Sequence, residues 1–348
     1  MTDARSSSPI FIIGTERSGS NLLRLMLNSH SRIAIPHPPH FMRYLAPLAH
    51  TYGDLASEAN RRVLVRDALT LLRRHIHPWP RPIDRERVVR CASPSVFGVV
   101  AAIYEEFRLG EGKPRWGCKS TFMVEHVSEV LAEYPDALFI WLVRDPCDVA
   151  SSAKRAVFGY CCPFRMAQLW NVQQNRAAAA LSAWGPQVLH LIRYEDLVTS
   201  PATEVARLCA FIGEQVEPAM LVPQRSPEAG QVSGLSESWG STRGPISARF
   251  IGGNRSGLTV RERLQVDNVT MDLKKEFGYD VDPNAALVRR PSGVETAVRG
   301  VLLRARVEYR SLRKDRNCTV RWARDATVRW LLLKSKARQK LAAAWRAD

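Results

Sequence analysis

Three short apolar runs punctuate the chain: Ile10–Ile13, Leu138–Val143 and Val188–Ile192. The first two are continuous rather than alternating, as expected of strands covered on both faces, and the third reads as a further strand. Segments with helical spacing separate and follow them. A helix opens at Leu22–Leu27, and another is expected over residues 54–76, where Leu55, Val63, Leu64, Ala68, Leu71 and Leu72 recur near the helical period. Further helices are expected over 94–108, 124–133, 164–184 and 201–212. Strands alternating with helices predict an α/β fold: a parallel sheet flanked by helices. The turn Ile35-Pro36-His37-Pro38-Pro39-His40 and the break Trp79-Pro80-Arg81-Pro82 interrupt the pattern. Residues 1–8 are polar and expected to fray. Residues 224–257, rich in Ser, Gly, Pro and Arg, show little periodicity and read as one long functional or disordered loop.

Chemistry first appears where the first strand meets the first helix, in Pro9–Asn21, PIFIIGTERSGSN. Gly14 and Gly19 stand five apart, as in the triphosphate-binding pattern G-x-x-x-x-G-K-[ST]. Where that pattern has Lys and then Ser or Thr, this chain has Ser20 and Asn21. The lysine that reaches the β- and γ-phosphates and the hydroxyl that holds Mg²⁺ are both missing. What remains is a glycine-flexed turn at a helix N-terminus with Arg17, Ser18 and Ser20, which suits an anion without triphosphate and magnesium chemistry. A plain strand-to-helix turn of small residues is the competing reading.

The second strand supports the anion reading. It ends in Arg144, then Asp145 as an N-cap and Pro146 at the first helical position, with Ser152 about two turns further on. A cation at a strand end and a hydroxyl on the next helix can grip one phosphate, and ligands of open α/β sheets bind at these carboxyl ends.

Composition adds bounds. With 348 residues, 45% of them hydrophobic, the chain can bury a large core. No signal-like apolar stretch precedes the first strand, and no run of about 18 apolar residues occurs, so a soluble, cytoplasmic protein is expected. The seven cysteines are scattered without metal-ligand spacing, and are read as reduced packing residues with no structural zinc. Charge is uneven: residues 297–348 hold 15 Lys and Arg against 4 Asp and Glu, so +11 of the total +16 lies there. Interleaved Leu, Val and Trp make this a basic amphipathic helix or helix pair. It is read as a solvated extension packed on the core, as an anchor on an anionic membrane surface, or, with no sequence-reading motif to support it, as a nucleic-acid patch.

Together these segments resemble the sulfotransferases that use 3′-phosphoadenosine 5′-phosphosulfate (PAPS). TERSGSNLLRLML is similar to that family's 5′-phosphosulfate loop, LVRDPCDVASS to its 3′-phosphate motif, and Arg193-Tyr194-Glu195-Asp196-Leu197 to a recurrent family segment. The match is strongest to bacterial and protein-tyrosine-type members, which carry Arg in the loop where cytosolic members carry Lys. It spans residues 9–280, leaving 297–348 as a basic helical extension that decides little about chemistry. The resemblance implies PAPS as co-substrate, no metal requirement and a P-loop-like parallel sheet. It assigns Arg17, Ser18, Gly19, Ser20 and Asn21 to the 5′-phosphosulfate, Arg144 and Ser152 to the 3′-phosphate, and Arg255, in Gly252-Gly253-Asn254-Arg255, to a loop near the nucleotide. Lys119 matches a family lysine at the bridging oxygen.

The general base departs from the family. Protein-tyrosine-type members place Glu where this chain has Pro38, and cytosolic members place His where it has Thr121. His37 and His40 flank the vacant position. An imidazole, with reference pKa near 6.5, accepts a proton at neutral pH. His40 is the first candidate, His37 the second and Glu16 an outside one; His30, His75, His77, His126 and His190 are read as structural. The acceptor is expected to be a small-molecule, lipid or glycoside hydroxyl, or an amine, held by walls from residues 40–110 and 155–180. Nucleic acid is not expected as a partner. Two other classes stay open: a P-loop nucleotide kinase, which Ser20 and Asn21 oppose, and a non-catalytic nucleotide- or membrane-binding protein.

Overall fold

The computed structural model describes residues 7–235, 237–252, 257–315 and 317–344. Its centre is β1 (Ile10–Gly14), every residue of which is buried. With β2 (Ile33–Ala34), β3 (Arg115–Lys119), β4 (Leu138–Val143) and β5 (Leu189–Arg193) it forms a parallel sheet in the order β2-β3-β1-β4-β5. The continuous apolar runs follow from this position. Phe11, Ile13, Phe139 and Trp141 enter one core with Phe97 and Trp170. Ile10, Ile12, Ile140 and Leu142 enter the core on the other face, with Leu23, Leu27 and Leu208. Both faces of β1 and β4 are therefore apolar.

β3 has no apolar run and was not legible as a strand. It begins with the fully buried Arg115, which donates to the carbonyls of Ile212 (2.7 Å) and Ser8 and pairs with Glu214 at 3.6 Å. These partners replace the water that a buried guanidinium loses. The strand runs beside β1 in the register Ile12↔Lys119, which brings Lys119 to the carboxyl end of the sheet.

The helices mostly follow the periodicity. α1 (Ser20–Asn28) leaves β1; α2 (Phe41–Leu45) follows the proline turn; α3 (Glu58–Arg73) lies within the expected 54–76. α4 (Arg85–Cys91) and α5 (Val96–Glu111) precede β3. The expected 124–133 helix divides at His126 into a 3₁₀ turn, Thr121–Glu125, and α6 (Val127–Glu133). α7 (Pro146–Lys154) is capped as read, the Asp145 carboxylate accepting from the N–H groups of Cys147 and Asp148. α8 (Pro163–Trp184), α9 (Tyr194–Thr199) and α10 (Pro201–Ile212) complete the layers around β5.

Two stretches differ from expectation. Residues 224–257 are not one long loop, because α11 (Pro227–Leu235) and a 3₁₀ turn, Glu237–Arg243, form within them. α12 (Val260–Glu276) escaped notice because its buried face is polar. Asp267 accepts from Lys274 Nζ at 2.7 Å and from the N–H of Asp282, while Asn268 Nδ2 donates to Ala285 O at 2.8 Å. A helix held by buried hydrogen bonds carries no apolar stripe to read.

The basic tail forms two helices, α13 (Gly293–Lys314) and α14 (Cys318–Ala344). α14 packs against α3 through Asp67, which is 1% exposed and accepts from Lys334 Nζ and Arg338 Nη2, both at 2.8 Å. α13 is tied by Arg304, which donates to the carbonyls of Val157 and Gly159. The seven cysteines are free thiols and all but Cys91 are buried. No helix of the described residues is long and apolar enough to cross a membrane.

Candidate active site

Two open cavities meet at the carboxyl end of the sheet. The first, about 660 Å³, is lined by Arg17, Gly19, Ser20, Asn21, Arg144 and Ser152, together with Arg155, Tyr194 and Arg249. The second, about 960 Å³, is lined by Glu16, His37, His40, Arg43 and Phe122, together with residues of α13 and α14. Arg17, Asn21, Lys119 and Trp239 line both.

The first cavity is built on the β1–α1 turn. Gly19 caps α1 in the left-handed conformation (φ 90°) with no side-chain cap, so its geometry leaves the first turn facing the cavity. A Cβ at Gly19 would lie 2.4 Å from Cδ2 of Tyr194, so the ring and the backbone angle both demand glycine. Beneath the turn, the fully buried Ser18 hydroxyl has no hydrogen-bond partner. Asn21 is held by Arg24 Nε, which donates to its Oδ1 at 3.0 Å, while its Nδ2 has no partner. Asn21 lines both cavities, and its unmatched Nδ2 is a donor that an anion's oxygen would satisfy.

The cations are fixed by hydrogen bonds to a side chain and to the backbone. Arg17 Nε donates to Ser152 Oγ at 3.1 Å, joining the two anion motifs that the sequence placed 135 residues apart. Arg144 donates to Arg17 O (3.2 Å) and Phe250 O (2.7 Å), and its guanidinium lies 4.3 Å from the Tyr194 ring centre. Burial, then repulsion from Arg144, lowers the pKa of Arg17 to about 10. Lys119 falls to about 8, through burial first and then Arg24. Such crowding of buried positive charge favours a multiply charged anion.

At the junction, His40 follows Pro38-Pro39 and starts α2 in the left-handed conformation (φ 56°). Arg17 (φ 72°) shares that conformation, and among the described residues these are the two non-glycine residues with positive φ. Strained backbone of this kind concentrates at functional sites. His40 Nδ1 lies 3.0 Å from Ser120 Oγ, and its ring meets Phe122 edge-on at 5.5 Å. When Nδ1–H donates to Ser120, Nε2 is the proton acceptor. Burial, then Lys119 and Arg43, holds the His40 pKa well below 6.5. His37 is placed differently, with its Nδ1 engaged by His75 Nε2 at 2.8 Å and its carbonyl accepting from Trp79 Nε1. Glu16 lines the second cavity and pairs with Arg43 at 3.6 Å. Arg255 lies outside the described residues. Among the described residues no group of three or more His, Cys, Asp or Glu is arranged to hold a metal ion.

A family model described as the sulfotransferase family matches residues 9–218, more than half of the chain. The chain belongs to that family. The nodulation protein NoeE of Sinorhizobium fredii is 27% identical over 302 residues, which cover 80% of this chain and 68% of that protein. Among solved structures, the sulfotransferase domain of the olefin synthase from Synechococcus PCC 7002 superposes with a TM-score of 0.53 at 20% identity, covering 79% of this chain and 97% of that one. That likeness establishes a shared fold.

Sequence reasoning missed several residues of this sulfotransferase's site. Arg155 and Tyr194 line the first cavity, yet neither was singled out as a ligand. Tyr194 lay in a quoted motif, Arg193–Leu197, whose other members are supports: the Glu195 carboxylate accepts from the Asp145 N–H and the Tyr279 hydroxyl. His75, read as structural, lines the second cavity against His37. The tail, expected to matter little to chemistry, contributes Arg324, Arg329, Trp322 and Trp330 to that cavity's wall. Long-range packing of this kind leaves no local signal.

Gly19→Ala is expected to destabilise the fold by about 1–3 kcal/mol, through both the positive φ and the ring clash. In a Tyr194→Ala background the same substitution should cost less, since only the φ penalty remains. Chemical denaturation of both single variants and the double variant checks this; no added loss in the double variant beyond Tyr194→Ala would show that φ imposes no cost.

Proposed function

We propose that the protein transfers a sulfuryl group from PAPS to an acceptor hydroxyl or amine, with the nucleotide in the first cavity and the acceptor in the second. The observation that carries this reading is the meeting of the two cavities at Arg17, Asn21 and Lys119. A group passed between two bound molecules must sit where their sites touch. The free Nδ2 donor of Asn21 and the cations Arg17, Arg144 and Arg155 suit a nucleotide with phosphate at both 3′ and 5′ positions. Family membership supports sulfuryl transfer as the chemistry.

In the proposed step the acceptor oxygen bonds to sulfur as the sulfur–oxygen bond to the 5′-phosphate breaks. His40 Nε2 takes the acceptor proton, and its Nδ1–H stays anchored on Ser120. Arg17 and Lys119 stabilise the charge that grows on the leaving phosphate. His37 takes a positioning role through its pairing with His75, and Glu16 holds Arg43. Arg144 and Ser152 anchor the 3′-phosphate, and Asn21 orients the 5′ end. The acceptor cavity mixes Tyr44, Phe122, Phe158 and Trp239 with arginines, which fits an amphipathic acceptor with a polar or anionic part.

The nucleotide assignment is checked by calorimetry. Arg144→Ala should weaken 3′-phosphoadenosine 5′-phosphate by about 1.5–3 kcal/mol, the range for a hydrogen bond to a charged group, and leave adenosine 5′-phosphate almost unchanged. Equal losses for both would refute it.

The pH dependence follows from the two shifted groups. His40 must be neutral, and burial keeps it so well below pH 6.5; Lys119 must be protonated, which in the free enzyme holds only below about pH 8. The profile of kcat/KM should therefore be flat across neutral pH and fall above about pH 8. His40→Ala should lower kcat by about 10²–10⁴-fold. Lys119→Arg should move the alkaline limb upward, because a guanidinium stays protonated. A profile that rises through pH 8, or a His40→Ala enzyme with normal turnover, would contradict these roles.

A further inference from the structure

α13 presents three distinct faces. Thr296, Val307 and Ser311 are buried against the body of the protein. On the opposite side Val294, Val298, Val301, Leu302, Tyr309 and Leu312 recur at helical spacing, and each is 53–74% exposed. Beside that stripe stand the exposed Arg299, Arg306 and Arg313, with Arg313 stacked 4.7 Å from the Tyr309 ring centre. A helix buried on one face normally turns polar residues to water on the other. Here the outward face is apolar and its flank is cationic.

We propose that this face of α13 docks on an anionic membrane surface, with the valines and leucines in the headgroup–acyl boundary and the arginines on lipid phosphates. The composition is that of helices that lie in the interface plane. Charge selects this occupant over a second copy of the chain. The segment 297–348 carries 15 Lys and Arg against 4 Asp and Glu in a chain of net +16. Two such surfaces repel, whereas an acidic lipid sheet attracts each arginine that reaches it. Arg304 and Glu308, on the other flank of the stripe, line the larger cavity, so a membrane held there lies beside the acceptor wall. The inference rests on the exposed face of α13 and the charge of the tail, and stands whatever the acceptor proves to be.

Flotation of the full chain with phosphatidylcholine vesicles, with and without phosphatidylserine, tests it. The wild type should float only with the anionic vesicles and be released by high salt. Val298→Glu with Leu302→Glu should abolish flotation. Arg299→Glu with Arg306→Glu and Arg313→Glu should weaken it by about a hundredfold or more, from roughly fivefold per arginine. These positions are exposed, so thermal melts by circular dichroism should match the wild type. Absence of anionic-vesicle binding, or binding indifferent to both variants, overturns the proposal. So does light scattering that shows a dimer dissolved by the Val298→Glu, Leu302→Glu variant, because the stripe would then join two copies.

Discussion

The site is organised by the forced proximity of cations that burial has stripped of water. Arg17, Arg144 and Lys119 are brought together by strand ends and the β1–α1 turn, and desolvation, with mutual repulsion second, draws Arg17 to about 10 and Lys119 to about 8. Such an arrangement costs stability in isolation. It persists because the sheet determines it: β1 and β4 are buried on both faces, and their carboxyl ends deliver Arg17 and Arg144 with no freedom to retreat. Arg144 is further held by two backbone carbonyls and the Tyr194 ring. An anion at this point relieves the repulsion, which ties the fold's stability to its binding chemistry.

The same constraint gives direction to the site. The cationic turn opens on one side to the cavity with Ser20, Ser152 and Tyr194, and on the other to the cavity with His40 and the tail helices. His40 is placed by local stiffness, since the two prolines before it limit the backbone and leave it in a left-handed conformation at the start of α2. Its ring is then fixed by Ser120, one residue beyond Lys119. An imidazole and a cation are thus held at one junction by adjacent residues, Ser120 and Lys119, at the end of β3.

What could be read in the sequence is what local pattern encodes. β1, β4 and β5 announced themselves by apolar runs, and the turn at Gly14–Gly19 and the Arg144–Ser152 segment by glycine spacing, an N-cap and a helix-start proline. β3 and α12 were illegible for one shared reason. Their burial is satisfied by specific polar partners, Ile212 O for Arg115 and Asp267 for Lys274, and hydropathy cannot report it. Tyr194, Arg155 and the tail's wall residues reach the cavities only through tertiary packing. The tail was visible as basic and amphipathic, but its docking hangs on Asp67, a buried carboxylate within α3's otherwise apolar face.

The central claim is that donor and acceptor sites meet at Arg17, Asn21 and Lys119, and a crystal structure with 3′-phosphoadenosine 5′-phosphate tests it most directly. The account requires the 5′-phosphate on the Gly19–Asn21 turn within hydrogen-bond reach of Arg17 and Lys119, the 3′-phosphate on Arg144 and Ser152, and His40 facing the same junction from the other cavity. A nucleotide seated in the cavity lined by His37 and the tail helices, or with its 5′-phosphate away from Lys119, would contradict it.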